Sequence, residues 1–335
     1  MAYVRNPHYH DKTTINGKEY EVPFVDELIW PIIPDRSTQI AALRTGKLDI
    51  WYCTPTEFTD TLKQSTPELI RKKFAHCTYW VISLRCDREP TSNKKVRQAL
   101  MLAIDQAAIR DILAQGGEIY TWPVSSQIGG VYTPLDELPP ETRALYDYNP
   151  EKARQMIIDA GYPNGITGLE IAAMAREPEY VDMAIMAAAY WAEIGVEATV
   201  NPLETTALTA YTLAAENDCV TSSRTNANQL QTFEASFLPG MSANTAHYDN
   251  PYFTEQLLKA KQTVDVTERN AILKELSVIA LDDVPWIPIA VPAWNVTWWP
   301  WVKNYYGEWE ASSYAFGPAM GYVWIDQALK KDMGY

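Results

Sequence analysis

Residues 148–165 read YNPEKARQMIIDAGYPNG, a helix with both of its ends marked. Asn149 is a favoured N-cap residue, Pro150 suits the first helical position, and Glu151 places an acid in the first turn. Apolar residues recur at helical spacing along one face, namely Ala153, Met156, Ile157 and Ala160. Gly161 ends the helix. This stretch therefore predicts an amphipathic helix that packs on a core.

The residues that follow continue with alternating strands and helices. A strand is predicted around 169–174. One face of the next helix is apolar and carries Val181, Ile185, Ala188, Trp191 and Ile194. Gly195 ends that helix, and alternating apolar residues from Val196 to Val200 predict another strand.

The same alternation precedes residue 148. Asp35 is the predicted N-cap of a helix that Gly46 ends, and a short strand follows at 48–52. The run 79–84 predicts a buried strand, after which come two helices, the second capped by Asp105. Strands that alternate with helices over most of a chain are typical of an α/β architecture.

Toward the C-terminus, two more helices are predicted at 253–261 and 268–281, the second capped by Thr267. An extended segment follows from Val284 to Ile289. Between the clear elements, residues 118–148 show little periodicity and predict a long irregular connection.

The composition limits the class of protein. The 335 residues carry a formal net charge of −14, without a basic stripe, which argues against binding to nucleic acid or to an anionic membrane surface. The longest apolar run, 183–192, is too short to span a bilayer. Residues 1–7 do not read as a signal peptide, because no basic segment precedes an apolar one.

Motifs for catalysis are absent. Thr45-Gly46-Lys47 resembles the end of a phosphate-binding loop, but Ala41 occupies the position where that motif requires glycine. No dinucleotide fingerprint follows a strand, and no nucleophile elbow is present. A metal site at His8 and His10 is less favoured than a solvated loop. We therefore predict a protein that is not an enzyme and holds no cofactor or metal.

Two further patterns are weak. Asn295-Val296-Thr297 is a formal glycosylation sequon. The four cysteines lack zinc spacing and are predicted to be buried free thiols, with a Cys53–Cys77 disulfide as the alternative for an exported protein.

Four blocks, in order, resemble solute-binding protein family 5, the oligopeptide, dipeptide and nickel-binding class. They are 4–9 (similar to RNPxYW), 23–50 (similar to P(Y/F)LDE, IIPD and AALxxGxxDI), 96–105 (similar to VRQALxxAIDR) and 148–165 (similar to YxPEKAKxLLxEAGYPNG). Each block alone is moderately specific, but four at family-like spacing make a strong resemblance.

The resemblance implies a type II periplasmic-binding-protein-like fold with two lobes joined by a hinge and the N-terminal part of the large lobe missing. It implies lobe I at 1–83 and 291–335 and lobe II at 84–290, with hinge crossings near Leu84–Arg85 and Ala290–Trp294. The implied function is the extracytoplasmic solute-binding component of an ABC importer. Such a protein acts as a monomer in the periplasm or on the outer face of the cytoplasmic membrane and delivers its solute to the permease.

Peptide-binding members of the family place an acidic residue upstream of a stretch similar to NTAHY, which is present here at 244–248. Counting back without gaps puts Asn226 at that position, which removes the charge that would pair with a peptide's ammonium group. Arg224 beside it suits an anionic solute. The predicted ligand-binding residues are Arg224, Asn226, Asn228, His247, Trp294 and Trp298. For Arg224, a position in a surface loop without a ligand is at least as well favoured. For the two tryptophans, packing in a core is favoured over contact with a ligand.

Two alternatives stay open. The first is a truncated relative that folds but serves as a non-binding scaffold. The second, more remote, is a hydrolase of peptides or glycans, for which the sequence offers neither a nucleophile with its base nor a carboxylate pair.

Overall fold

The computed structural model describes residues 1–55, 58–75, 78–114, 117–119, 121–124, 126, 129–225, 229–308 and 317–335. The chain forms two compact units. One combines Met1–Phe74 with Trp294–Tyr335, and the other is Ala75–Ala293.

Strands and helices alternate as the sequence predicts. The strands are β1 Ala2–Val4, β2 Lys12–Ile15, β3 Lys18–Glu21, β4 Glu27–Ile29, β5 Ile50–Thr54, β6 Ile70–Ala75, β7 Thr78–Leu84, β8 Ile166–Met174, β9 Val196–Leu203, β10 Cys219–Thr225, β11 Trp286–Ala290, β12 Ala293–Trp298, β13 Val302–Lys303 and β14 Trp324–Ile325. The helices are α1 Arg36–Arg44, α2 Thr59–Ser65, α3 Lys94–Leu102, α4 Gln106–Ile112, α5 Pro140–Arg143, α6 Pro150–Asp159, α7 Pro178–Glu193, α8 Thr205–Leu213, α9 Gln229–Phe237, α10 Pro251–Gln262, α11 Val266–Asp283, α12 Gly317–Met320 and α13 Gln327–Asp332.

The second unit is built on a five-stranded mixed sheet of order β11-β7-β10-β8-β9. β8 runs parallel to both β9 and β10, whereas β7 is antiparallel to β10 and β11. Helix α7 connects β8 to β9, which makes the strand–helix–strand unit expected from the sequence.

Strand β7 is buried on both faces, which explains its unbroken apolar run. Trp80, Ile82 and Leu84 enter the core that also contains the buried residues of α3, α6 and α7. Tyr79 and Val81 enter a second core, which is formed with α9, α10 and α11. A strand covered on both sides needs no polar alternation.

The local signals at helix ends are confirmed. The Asn149 side chain accepts a hydrogen bond of 2.9 Å from the amide of Lys152, and Gly161 has a φ of +102°. Helix α11 corrects one detail, because its N-cap is Asp265, which accepts from the amide of Glu268 at 2.8 Å, and not Thr267.

The boundary between the units differs from the predicted lobe limit at residue 83. Strand β7 belongs to the second unit, since it hydrogen-bonds to both β10 and β11. The return to the first unit falls between Ala293 and Trp294, at the end of the predicted crossing.

The first unit has a small core in which tryptophans are prominent. The rings of Trp299 and Trp301 stack with centroids 4.3 Å apart. Trp299 Nε1 donates to the carbonyl oxygen of Leu43 at 2.8 Å, and Trp301 Nε1 donates to the carboxylate of Asp49 at 2.7 Å. These bonds attach the segment after β12 to helix α1 and the loop before β5. Over the part of the chain that is described, no helix has both the length and the apolar composition to cross a bilayer.

Candidate ligand-binding site

Arg224 lies near the end of β10 and is held from several sides. Its guanidinium lies over the ring of Trp286, 4.5 Å from the centroid. It donates to the carbonyl oxygens of Ser223 at 2.9 Å and Ala243 at 3.1 Å. Burial lowers the pKa of Arg224 to about 10, although nearby Tyr180 acts in the opposite direction. The side chain is therefore a partly buried cation at neutral pH. Because Arg224 lies within strand β10, the surface loop considered from the sequence is wrong.

The other face of the same strand end carries aromatic side chains with polar tips. Ser223 stands opposite Trp80 of β7. The ring of Trp80 meets that of Tyr180 edge to face, with centroids 6.4 Å apart. Burial raises the pKa of Tyr180, and a hydrogen bond from Ser223 reduces this effect. Amphipathic rings of this kind suit a site that is partly apolar and partly wet. Sequence reasoning missed this group because its members come together only through the sheet.

Two predicted site residues cannot be placed. Asn226 and Asn228 follow Arg224 directly but lie outside the described residues.

The segment 244–248, which contains His247, is a hydrogen-bonded turn. The side-chain amide of Asn244 donates to the carbonyl oxygens of Leu238 at 3.1 Å and Tyr248 at 2.9 Å, and its oxygen accepts from the amide of Tyr248 at 3.0 Å. Thr245 Oγ1 bonds to Ser83 Oγ at 3.0 Å, which attaches the turn to β7. The NTAHY motif thus has a structural role in this unit.

His247 belongs to a charged cluster at the end of β7. Its Nδ1 is 3.4 Å from Asp87 Oδ2, and Arg85 binds the same carboxylate through Nε at 2.6 Å and Nη2 at 2.8 Å. Burial and the positive charge of Arg85 lower the pKa of His247 more than Asp87 raises it. The imidazole is therefore neutral at pH 7 and suited to hydrogen bonding, with no charge to offer a ligand.

Arg224 and His247 have different partners: Arg224 binds the carbonyl oxygen of Ala243, just before the turn, whereas His247 pairs with Asp87. In the β7–β10 pair, Cys219 faces Leu84 at one end and Thr225 faces Thr78 at the other. The His247 turn is attached near Leu84, whereas Arg224 lies toward Thr78. Arg224 pairs with Tyr79, five residues from Leu84, which at ~3.3 Å per residue is about 16 Å along the strand.

Trp294 and Trp298 belong to the first unit. Trp298 is buried at 5% exposure, and its ring meets that of Tyr305 edge to face with centroids 5.1 Å apart. It is a core residue of that unit. Trp294 is half-buried and is the first residue of this unit after the chain leaves the second unit, so it is the better candidate of the two for ligand contact.

The remaining sequence patterns bear little on the site. Asn295 of the sequon is 6% exposed within β12. Cys86 and Cys219 are free thiols, and burial raises the pKa of Cys86 to about 11. The alternative disulfide involves Cys77, which lies outside the described residues. Within the described ranges, no group of three or more His, Cys, Asp or Glu side chains could hold a metal ion.

Comparison of the fold places the chain among the type II periplasmic-binding proteins. The DppA periplasmic binding protein of Helicobacter pylori, solved with the peptide STSA, superposes with a TM-score of 0.77 at 22% identity. The match covers 97% of this chain and 60% of that one. The predicted fold class is therefore confirmed.

The family follows from the sequence. The model for bacterial extracellular solute-binding proteins, family 5 (Middle), matches residues 1–265, and the chain belongs to this family. Heme-binding protein A of Haemophilus influenzae is 29% identical over 295 residues, which cover 84% of this chain and 51% of that protein. The glutathione-binding protein GsiB of Pectobacterium atrosepticum is 26% identical over 285 residues, which cover 80% and 52%. The chain spans about half the length of the curated relatives it matches.

Proposed function

We propose that this protein is the extracytoplasmic solute-binding component of an ABC importer, and that it captures a peptide-like or other small polar solute for delivery to the membrane permease. The family match over residues 1–265 carries the proposal. The relatives are binding proteins for heme, glutathione and a peptide, which supports binding without turnover. We further propose that the protein acts as a monomer outside the cytoplasmic membrane, and that its two units are the family's two lobes.

Within this function, we propose that the end of β10 contacts the solute. The stacked cation of Arg224 and the polar-tipped rings of Trp80 and Tyr180 support this assignment. A cation that stacks on an indole suits an anionic or carboxylate-bearing solute, because the attraction between the cation and the anion is stronger where the local dielectric constant is low. We propose Asn226, Asn228 and Trp294 as further contacts of the solute. The side chains of Trp298 and His247 instead contact other residues of the protein and are not proposed as solute contacts.

A ligand screen tests the function. Purified protein is heated with glutathione, the peptide Ser-Thr-Ser-Ala, heme and a metal–EDTA chelate in turn, and hits are titrated by calorimetry. We expect one class to raise the melting temperature without being consumed. A ligand at 100 times its dissociation constant adds ~2.7 kcal/mol to the free energy of unfolding. If no class of ligand raises the melting temperature, the proposal fails and the alternative of a non-binding scaffold protein is favoured.

A matched pair of variants tests the site. Arg224→Gln should weaken binding of the identified solute, whereas Arg176→Gln, an exposed arginine of the same unit, should not. Because Arg224 also holds the Ala243 carbonyl, Arg224→Lys serves as a second variant that retains the charge. Unchanged affinity in both Arg224 variants, with normal unliganded melting temperatures, would contradict the assignment.

A further inference from the structure

Five tryptophans among the described residues are at most 1% exposed, and they differ in how their indole N–H groups are used. Trp191, Trp299 and Trp301 each donate to an oxygen of the protein, at 2.7 to 3.0 Å. Among the described residues, Trp122 and Trp286 have no acceptor for their N–H groups. Buried polar groups in folded proteins are nearly always hydrogen-bonded, so each exception needs an explanation. These two donors are available to a ligand.

The two exceptions are neighbours, and they lie beside a stacked cation. The ring centroids of Trp122 and Trp286 are 5.8 Å apart, and both rings belong to the second core. The guanidinium of Arg224 lies 4.5 Å from the centroid of the Trp286 ring. Both available indole donors are therefore close to the arginine at the end of β10.

A serine hydroxyl lies on the same side of the sheet. Ser222 and Arg224 point to one face of β10, because they are two residues apart in a strand. Their partners in β7 are Val81 and Tyr79, and both of these enter the second core. The hydroxyl oxygen of Ser222 is buried and has no hydrogen-bond partner in the described part of the chain. Two indoles, a hydroxyl and a guanidinium thus lie on the second-core side of the sheet.

The chemistry of these groups selects one kind of ligand. An indole N–H and a guanidinium can only donate hydrogen bonds, and a hydroxyl donates when its proton turns toward an acceptor. A ligand that meets several donors at once must be rich in acceptors, and the positive charge beside them favours an anion. Carboxylate and phosphate oxygens accept several hydrogen bonds, and such charge-assisted bonds are roughly twice as strong as bonds between neutral groups. The group that fits is an oxyanion.

We propose that these four donors form a subsite for an oxyanion, namely a carboxylate or phosphate group of the solute. The subsite consists of Trp122, Ser222, Arg224 and Trp286. The inference extends the proposed solute contact at the end of β10, and it rests on the proposed function for the source of the oxyanion. A free inorganic anion has the same chemistry and is the other source, which the experiment below distinguishes.

The indole N–H resonances report directly on the subsite. The protein is isotope-labelled at its tryptophan nitrogens, each resonance is assigned by replacing one tryptophan with phenylalanine, and sodium acetate or sodium phosphate is then titrated by NMR. We expect the proton resonances of Trp122 and Trp286 to move downfield and saturate, because a hydrogen bond to an anion deshields the proton. Trp191, which donates within the same unit, should not move. Acetamide, the uncharged counterpart of acetate, should move none of the three.

The proposal is overturned if neither the Trp122 nor the Trp286 resonance moves with acetate or phosphate, or if acetamide moves them equally. The solute identified by the ligand screen is then added, and we expect it to move both resonances. If that solute binds without moving them, the proposed function stands and the assignment of the subsite to the solute is overturned. If the ligand screen fails while acetate moves both resonances, the proposed function fails and a free anion is the occupant.

A matched pair of variants tests the role of one donor. Trp122→Phe keeps an aromatic ring and removes the N–H group, so acetate should bind roughly tenfold more weakly, as expected for the loss of one hydrogen bond to a charged group. The control Trp324→Phe, at a position that is 44% exposed, should leave the titration unchanged. An unmoved Trp191 resonance in Trp122→Phe shows that the second unit is still folded. If this folded variant titrates like the control, the Trp122 indole is not part of the subsite and the proposal is wrong.

Discussion

Replacing Asp283 with asparagine should lower the free energy of unfolding of the second unit by about 1–2 kcal/mol at pH 7. The carboxylate accepts hydrogen bonds from Tyr248 Oη at 2.7 Å, Lys94 Nζ at 2.8 Å and Asn250 Nδ2 at 3.2 Å. Asparagine keeps the size and one acceptor oxygen, so that the change removes mainly the charge.

The magnitude follows from the burial of each partner. Tyr248 is 4% exposed, and the side chain of Asp283 is 18% exposed, so their bond is charge-assisted and poorly screened. Lys94 is 40% exposed and also binds Asp282, so its ion pair with Asp283 adds little. Losing the charge-assisted part of one buried bond accounts for the expected effect.

The effect should depend on pH in a defined direction. Burial alone would raise the pKa of Asp283, but the hydrogen bonds from Lys94 and Tyr248 outweigh it, and the pKa falls below the ordinary value. A depressed carboxylate pKa adds stability above the unfolded value of about 3.9, and that stability is lost as pH falls through the folded pKa. The difference between wild type and Asp283→Asn should therefore shrink below about pH 4.

Urea unfolding monitored by tryptophan fluorescence measures the difference, with the denaturant slope held equal between proteins. Asp111→Asn removes an exposed carboxylate of the same unit, paired with Arg110, and should leave the midpoint in place. The reasoning is refuted if Asp283→Asn unfolds at the wild-type midpoint at pH 7. It is equally refuted if a pH 7 difference persists undiminished in acid.

Three further predictions are simpler. Asp265→Ala should destabilise helix α11 by about 1 kcal/mol in urea unfolding, whereas Thr267→Ala should cost less, because only Asp265 caps the helix. Trp191→Phe should lower the free energy of unfolding by about 2–3 kcal/mol in the same assay, because the buried indole donates a hydrogen bond to a backbone carbonyl at 3.0 Å. Trp324→Phe, at a position that is 44% exposed, is the control. Expression in a glycosylating host should add no glycan mass at Asn295, because the folded strand buries it.

Local signals allowed much of the fold to be predicted. Asp35, Asp105 and Asn149 each cap the helix that the sequence assigned to them. These signals work because the cap and the amide it binds lie within three residues of each other. One such signal was overlooked, since Asn16-Gly17 between β2 and β3 is a two-residue hairpin turn with positive φ at both positions.

Non-local features were not predictable in the same way. Strand β10 has the polar sequence CVTSSRT and shows no apolar period, yet it lies in the sheet between β7 and β8. The surroundings of Arg224 depend on that strand, because Trp286 lies 62 positions away along the chain and reaches it through β11 and β7. No sequence period could pair these two residues.

The residues that make the family-like blocks recognisable maintain the fold and do not bind the ligand in this account. In the block at 96–105, Arg97 donates to the carbonyl oxygens of Asp283 and Val284, and Gln98 donates to that of Asp282. These three carbonyls stand at the end of α11, where the helix itself leaves them without partners.

The NTAHY motif also maintains the fold, because Asn244 and Tyr248 close a turn by a hydrogen bond and the hydroxyl of Tyr248 donates to the carboxylate of Asp283. Both motifs thus converge on the end of α11, while the proposed solute contacts lie at the end of β10. A change of solute can therefore leave the motifs intact, because the residues that identify the family are separate from those proposed to choose its ligand.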